Sequence, residues 1–346
     1  MAVRPTPARV MIVEDSTVVR TLLTHIVGSD PRLTVAASFA TAEEAIEALP
    51  ALRPDVISMD IRLPGIDGLE ATRRIMAAHP TPIVVISASM DGGAMGTSMD
   101  ALRAGALSVV EKPVGLGDAA YAQVAHEIRT QLAIMSEVAV VRRRMPAASA
   151  TPVQPPRLRP PSVLLVAAST GGPPALARLF GALPADLPVP ILLVQHMGAS
   201  FMAGFASWLD SVVPQRVEIA RSGEVPRAGT IHVAPGDAHL MLARGGTMRV
   251  ATDGPVGGQR PSATRLIESA ATAIDGAALA VVLTGMGEDG ATGVRALLAA
   301  GGQAVAEDAS TSVVYGMPAA AQRAGALSLP LDLIAPHIRR IVDRAR

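Results

Sequence analysis

The chain has 346 residues, 49% of them hydrophobic and 17% charged, which suits two domains with cores of their own and excludes a disordered chain. Lys plus Arg and Asp plus Glu both total 30, so the broad basic face that nucleic-acid binding needs is lacking. There is no cysteine, hence no disulfide framework or thiolate chemistry. No apolar run reaches the ~18 residues of a membrane span and the N-terminal run is too short for a signal peptide, so a cytoplasmic protein without direct membrane insertion is expected.

In the first part of the chain short apolar runs alternate with helical patterns. Residues 9–14, 34–39, 55–59, 82–87 and 106–110 read as strands. Between the first two, Val18, Val19, Leu22, Leu23, Ile26 and Val27 recur at helical spacing after Ser16, a suitable N-cap. Five such units imply a parallel sheet covered on both faces. The last helix is predicted over 117–142, with Arg142, Arg143 and Arg144 as cations at its end. The Pro- and Ala-rich stretch MPAASATPVQPPRLRPP has no hydrophobic periodicity and reads as a semi-extended linker. The expected division is therefore 1–143, a linker at 144–161, and a second α/β domain over 162–346. Strands are predicted near 162–168, 190–195 and 278–284, and TIHVA, HLMLA and TMRVA suggest a hairpin-like insertion. The fold class is α/β, with two doubly wound, mainly parallel sheets.

Ligands of an open parallel sheet gather at the carboxyl ends of its strands. In the first domain those ends carry Glu14 and Asp15, then Asp60, then Ser87, then Glu111-Lys112-Pro113. Three clustered carboxylates repel one another, and a hard divalent cation such as Mg²⁺ relieves the repulsion while binding phosphate oxygens. Lys112 adds a movable positive charge and Ser87 a hydroxyl. Any one of these acids alone would be an ordinary cap or loop residue; four strand ends in this order are not. The arrangement resembles the receiver domain of two-component response regulators over roughly residues 8–135. That resemblance implies Asp60 as phosphoacceptor, Glu14, Asp15 and the backbone carbonyl of Arg62 as further Mg²⁺ ligands, and Ser87 and Lys112 as switch residues. It implies a histidine kinase as phosphoryl donor. Receivers usually carry an aromatic shortly before the Lys-Pro pair; Val109 or Val110 stands there instead.

In the second domain LLVAA runs into Ser169, Thr170, Gly171, Gly172, Pro173 and Pro174. The glycines permit a tight turn, the prolines suit the first turn of a helix, and N–H groups at that turn would stabilise an oxyanion. Taken singly, STGG is equally well a phosphate-binding turn. A serine nucleophile needs a base, and among seven histidines His196 in LLVQHM is placed best, just beyond the neighbouring strand. His232 and His239 lie within apolar runs, where a structural role is expected. The orienting acid would come from LTGMGEDG, where spacing does not choose between Glu288 and Asp289.

AASTGG, LLVQHM, HVAPG, RPSATRLIESAA, LTGMGEDG and VVYGMPAAA together resemble the chemotaxis protein-glutamate methylesterases over nearly the whole chain. The resemblance implies Ser169 as nucleophile, His196 as general base and acid, and Asp289 as its orienting residue. It places Met286 as a backbone oxyanion donor, with Thr170 beside the site. The implied reaction is phosphorylation-activated hydrolysis of γ-glutamyl methyl esters on chemoreceptor cytoplasmic helices, with deamidation of receptor glutamines in some members and no cofactor for the esterase step. Two departures stand out: Ala167 replaces a common glycine, and GASFMAGFASWL after His196 lacks expected prolines.

Overall fold

The computed structural model describes residues 6–87, 101, 104–113, 118–138 and 160–343, and the chain divides into two compact units, Met1–Pro146 and Ala147–Arg346. No described helix is long and apolar enough to cross a membrane.

The first unit runs β1 (Ala8–Val13), α1 (Thr17–Gly28), β2 (Leu33–Phe39), α2 (Ala42–Leu52), β3 (Val56–Met59), α3 (Gly68–Ala78), β4 (Ile83–Ser87), β5 (Ser108–Glu111) and α4 (Asp118–Met135). All neighbouring strands are parallel, in the order β2-β1-β3-β4-β5. This is the flavodoxin-like arrangement, with its switch point between β1 and β3. Ser16 caps α1 as expected, accepting the Val19 amide at 3.4 Å. β1, β3 and β4 are buried along almost their whole length, which is why they read as continuous apolar runs. β5 begins at Ser108 rather than Ala106. Helix α4 stops at Met135, short of the predicted end, because the Ser136 hydroxyl turns back onto the Ala133 carbonyl at 2.7 Å and the next two amides take carbonyls three residues back. The remainder of that predicted helix, its three arginines and most of the linker lie outside the described residues.

The second unit runs β6 (Val163–Ala168), α5 (Gly172–Gly181), β7 (Ile191–Gln195), α6 (Ala199–Val212), β8 (Arg216–Ile219), β9 (Thr230–Val233), β10 (His239–Leu242), β11 (Met248–Ala251), α7 (Ala263–Ala273), β12 (Ala278–Val282), α8 (Ala291–Ala299), β13 (Gln303–Glu307), α9 (Met317–Arg323), β14 (Leu327–Leu329) and α10 (Leu331–Asp343). Seven strands form one parallel sheet, ordered β14-β13-β12-β6-β7-β9-β8. Successive strand residues face opposite sides. Leu165, Ala167, Leu192, Val194, Ala280 and Val282 pack with Leu266, Val294, Leu297 and Ala321 in one core. Their neighbours Leu164, Val166 and Leu193 are equally buried, so both faces are covered.

The expected three-strand insertion divides differently. Only HLMLA and TMRVA form an antiparallel hairpin. TIHVA is β9, a parallel member of the main sheet between β7 and β8. A four-residue apolar strand carries no mark of its partner's direction, and here it pairs in parallel with the preceding strand β8 and with the more distant β7.

Gly68 opens α3 against the backbone of β3's end, where a Cβ would run into the Asp60 carbonyl oxygen and sit 2.9 Å from Ile61 Cα. Gly68→Ala is therefore expected to cost the first unit about 1–3 kcal/mol by overpacking against backbone that cannot yield, read as a lower urea midpoint for that unit with unchanged m-value.

Candidate active site

Two constellations occupy strand ends, one in each unit. In the first, Glu14 and Asp60 are buried and Asp15 is exposed. One oxygen from each of these three carboxylates falls within 4.8 Å of the others. Lys112 Nζ lies 2.8 Å from Asp60 Oδ2 and 2.8 Å from Glu14 Oε2. Burial pushes the Glu14 carboxyl up, the Lys112 ammonium pulls it partly back, and the Asp60 charge adds to the push, leaving it raised. Burial also opposes the charge on Lys112, but Asp60 and Glu14 outweigh it and hold the ammonium above the ordinary lysine range. Ser87 ends β4 opposite Glu111, and its carbonyl accepts the Lys112 amide at 2.8 Å. The loop that carries Arg62 follows Asp60 directly and is exposed at that residue. Val109 is partly buried against the core of this unit. The structure thus brings Glu14, Asp15, Asp60 and Lys112 into one pocket with Ser87 on its neighbouring strand. Three hard oxygen donors at this spacing suit a divalent cation such as Mg²⁺.

In the second unit β6 is the middle of seven strands, with β12 on one side and β7 on the other. The register pairs Ala168 with Gln195, so the next residues, Ser169 and His196, leave the sheet side by side. The His196 amide bonds the Ala168 carbonyl at 2.9 Å, and the Ser169 amide bonds the Thr284 carbonyl at 3.0 Å. Gly171 completes the turn with φ +77° and lets the chain enter α5 behind two prolines. The buried Gln195 side chain ties both turns together: its Nε2 donates to the Ser169 and His196 carbonyls, each at 2.9 Å.

His196 Nε2 lies 2.8 Å from Asp289 Oδ2. Three further donors converge on the same carboxylate: Ser262 Oγ at 2.8 Å, the Ala263 amide at 2.6 Å and the Thr264 amide at 3.0 Å. Ser262 is the N-cap of α7, so the acid sits on a helix N-terminus. Burial works against its ionisation, but the hydrogen bond and charge of His196, then the Thr264 and Ala263 amides, outweigh it and hold Asp289 well below the usual carboxylate range. An ionised carboxylate only accepts, so the neutral imidazole carries its proton on Nε2. That leaves Nδ1, which is buried and has no hydrogen-bond partner among the described residues, as the basic nitrogen. Glu288, by contrast, is exposed and pairs with Arg323 at 3.1 Å, so geometry chooses between the two acids that spacing left open.

Thr170 is buried, its carbonyl accepting the Thr284 hydroxyl at 2.9 Å. Met286 is half-exposed beside the site, and at the preceding Gly285 a Cβ would lie 2.7 Å from that of Ser169. His232 bonds residues outside this cluster, and His239 meets it only through the backbone of Ser262. His232 Nε2 accepts the Arg227 amide at 3.0 Å, with Nδ1 3.0 Å from Glu218. His239 Nδ1 accepts the Ser262 amide at 3.2 Å. Ser262 and the α7 N-terminus were not assigned from sequence, although a serine before the helical run of RPSATRLIESAA signals a cap. Gln195 left no signal of its own beyond its place in LLVQHM.

The family model described as CheB methylesterase matches residues 164–338, and that of the response regulator receiver domain matches residues 10–121. The chain is 50% identical over 341 residues to the protein-glutamate methylesterase/protein-glutamine glutaminase 2 of Paramagnetospirillum magneticum, covering 96% of each. It is 45% identical over 320 residues to enzyme 3 of the same name from Anaeromyxobacter dehalogenans, covering 92% of this chain and 93% of that one. The crystal structure of the CheB methylesterase catalytic domain of Thermotoga maritima matches with a TM-score of 0.50 and 33% identity, over 53% of this chain and 98% of that one.

Two outcomes test the geometry. Ser262→Ala removes one donor from Asp289 and the cap of α7, and is expected to slow labelling of Ser169 by a fluorophosphonate probe about tenfold, the worth of one charge-assisted bond. A carboxyl whose folded pKa is depressed adds stability that is complete above its unfolded value of about 3.9 and is lost as pH falls toward the folded one. Asp289→Asn should accordingly flatten the loss of stability of the second unit below about pH 4 in urea titrations.

Proposed function

The chain belongs to the CheB methylesterase family, and from that premise we propose that it is a phosphorylation-activated protein-glutamate methylesterase, with protein-glutamine deamidation as the related activity, acting on chemoreceptors in chemotactic adaptation. The observation that carries the reading is His196, bound through Nε2 to Asp289 at 2.8 Å, with Nδ1 buried and unbonded among the described residues on the sheet edge it shares with Ser169.

Ser169 Oγ attacks the γ-carbonyl of a methylated glutamate while His196 Nδ1 takes the hydroxyl proton. The Asp289 carboxylate keeps the ring oriented and stabilises the imidazolium that forms. The carbonyl oxygen becomes an oxyanion facing the Met286 N–H, next to the turn of Thr170. Collapse breaks the bond to the methoxy oxygen, which leaves as methanol with the proton from His196. Water then attacks the acyl-enzyme, His196 again taking and returning one proton, to release glutamate. A glutamine side chain follows the same course with ammonia as the leaving group. The substrate is a segment of receptor cytoplasmic helix.

Control belongs to the first unit. Asp60 accepts a phosphoryl group from a histidine kinase, Lys112 turns from its carboxylate partners to the phosphoryl oxygens, and Ser87 supplies a hydroxyl to them. Glu14, Asp15, Asp60 and the Arg62 carbonyl would hold Mg²⁺, which supplies positive charge against the phosphoryl oxygens when bound.

The experiment is methanol release from methylated receptor fragments, with and without a small-molecule phosphoryl donor and Mg²⁺. Ser169→Ala is expected to lower release at least about a thousandfold, and Asp60→Asn to abolish the rise caused by the donor while leaving basal release. Release that persists in Ser169→Ala would overturn the reading of the second unit.

A further inference from the structure

Beyond the groups that face the ester, one fully buried carboxyl stands two bonds behind the nucleophile. β12 and β13 pair in register only as far as Val282 and Ala306. Past that point β12 leaves the sheet to form the turn before Met286, and the Thr284 amide finds no ladder partner on β13. It bonds the Glu307 side chain instead, at 2.9 Å from Oε2. Glu307 is the last residue of β13 and has no solvent exposure.

Thr284 is a hub. Its carbonyl accepts the Ser169 amide at 3.0 Å. Its hydroxyl donates to the Thr170 carbonyl at 2.9 Å and accepts the Val314 amide at 2.9 Å. The next residue, Gly285, bonds Val314 through its amide and receives the amides of Gly316 and Met317 on its carbonyl. The nucleophile turn, the strand end before Met286 and the segment 314–317 are thus joined at one residue, and the amide of that residue is held by a side chain.

We propose that Glu307 is a positioning residue for the nucleophile: by taking the Thr284 amide it fixes the peptide groups that hold Ser169 and Thr170 and lead to Met286. The inference rests on the reading of Ser169 as the nucleophile. What matters is an acceptor oxygen at that place and not a charge. Burial pushes the Glu307 carboxyl up; the Thr284 amide and the Thr311 hydroxyl pull it down, the Asp308 charge raises it and Arg178 lowers it, with a raised value the outcome. A glutamine offers the same carbonyl oxygen at the same reach. Alanine offers none and leaves a buried amide unpaired.

The test compares E307A, E307Q and E307D in the full-length chain, with Ser169→Ala as control. It measures kcat and KM for methanol release, the fluorophosphonate labelling rate and the melting temperature. E307A is expected to lower kcat and the labelling rate together by about ten- to a hundredfold, the effect of a small misplacement of reacting groups, with KM within about twofold. E307Q is expected to stay within about threefold of the native rate. A folded E307A with native kcat and labelling rate would overturn the proposal, even if its melting temperature fell. So would an E307Q as slow as E307A, which would make the charge the essential feature. If E307A does not fold, E307D decides, since its carboxyl is one methylene short of the Thr284 amide: a rate loss absent from E307Q supports positioning, and a native rate overturns it. If the native chain releases no methanol that depends on Ser169, the proposed reaction falls, and this inference with it.

Discussion

A parallel strand that leaves its sheet strands its last peptide groups, because the ladder that satisfied them ends while the chain is still buried. Both clusters of polar groups, one in each unit, lie at that boundary. Gln195 holds the Ser169 and His196 carbonyls, and Glu307 holds the Thr284 amide. Asp289 gathers the first amides of α7, which a helix leaves unpaired in the same way. Polar side chains are tolerated in so apolar an interior because each meets a backbone group that would otherwise be unsatisfied. The same need gathers Ser169, His196 and Asp289, the proposed nucleophile, base and acid, beyond the ends of three adjacent strands, β6, β7 and β12.

The two units handle clustered charge by opposite means. Around Asp289 the compensation is built from fixed dipoles: two amides, a hydroxyl and a helix N-terminus. These do not reorganise, which suits the proposed role of a carboxylate that stays ionised while His196 gains and loses a proton. Around Asp60 the compensation is a lysine side chain with several torsions, 2.8 Å from both Asp60 and Glu14. In the proposed reading Asp60 acquires and loses a phosphoryl charge, and a flexible lysine such as Lys112 is a partner able to follow it.

Most of the architecture was legible as pattern. The continuous apolar runs of β1, β3, β4, β6, β7 and β12 announced strands covered on both faces, and Ser16 announced the start of α1. TIHVA was misread, since a short apolar strand says nothing about whether its neighbour is the next segment or one 40 residues earlier. The end of α4 was overrun because its helical pattern continues past Ser136, whose hydroxyl closes the helix locally. In the two separate clusters, Asp60 in the first unit and Ser169 and His196 in the second stood out as candidates because polar residues at the ends of apolar runs are out of keeping with their surroundings. Ser262, Gln195, Thr284 and Glu307 did not, because each supports another residue remote in sequence.

The sequence by itself therefore determined the two parallel α/β units, the strand ends that carry reactive groups, and the kinds of chemistry those groups permit. Residue type and period are local properties, and strand ends are local events. Spacing left Glu288 and Asp289 open, and a family resemblance alone named Asp289. The tertiary structure brings Asp289 to His196, leaves the imidazole proton on Nε2, and sets α7 rather than another helix against the acid. Those choices depend on sheet order and register, which bring residues about 100 positions apart to within hydrogen-bond distance, and no single stretch of the chain contains both partners.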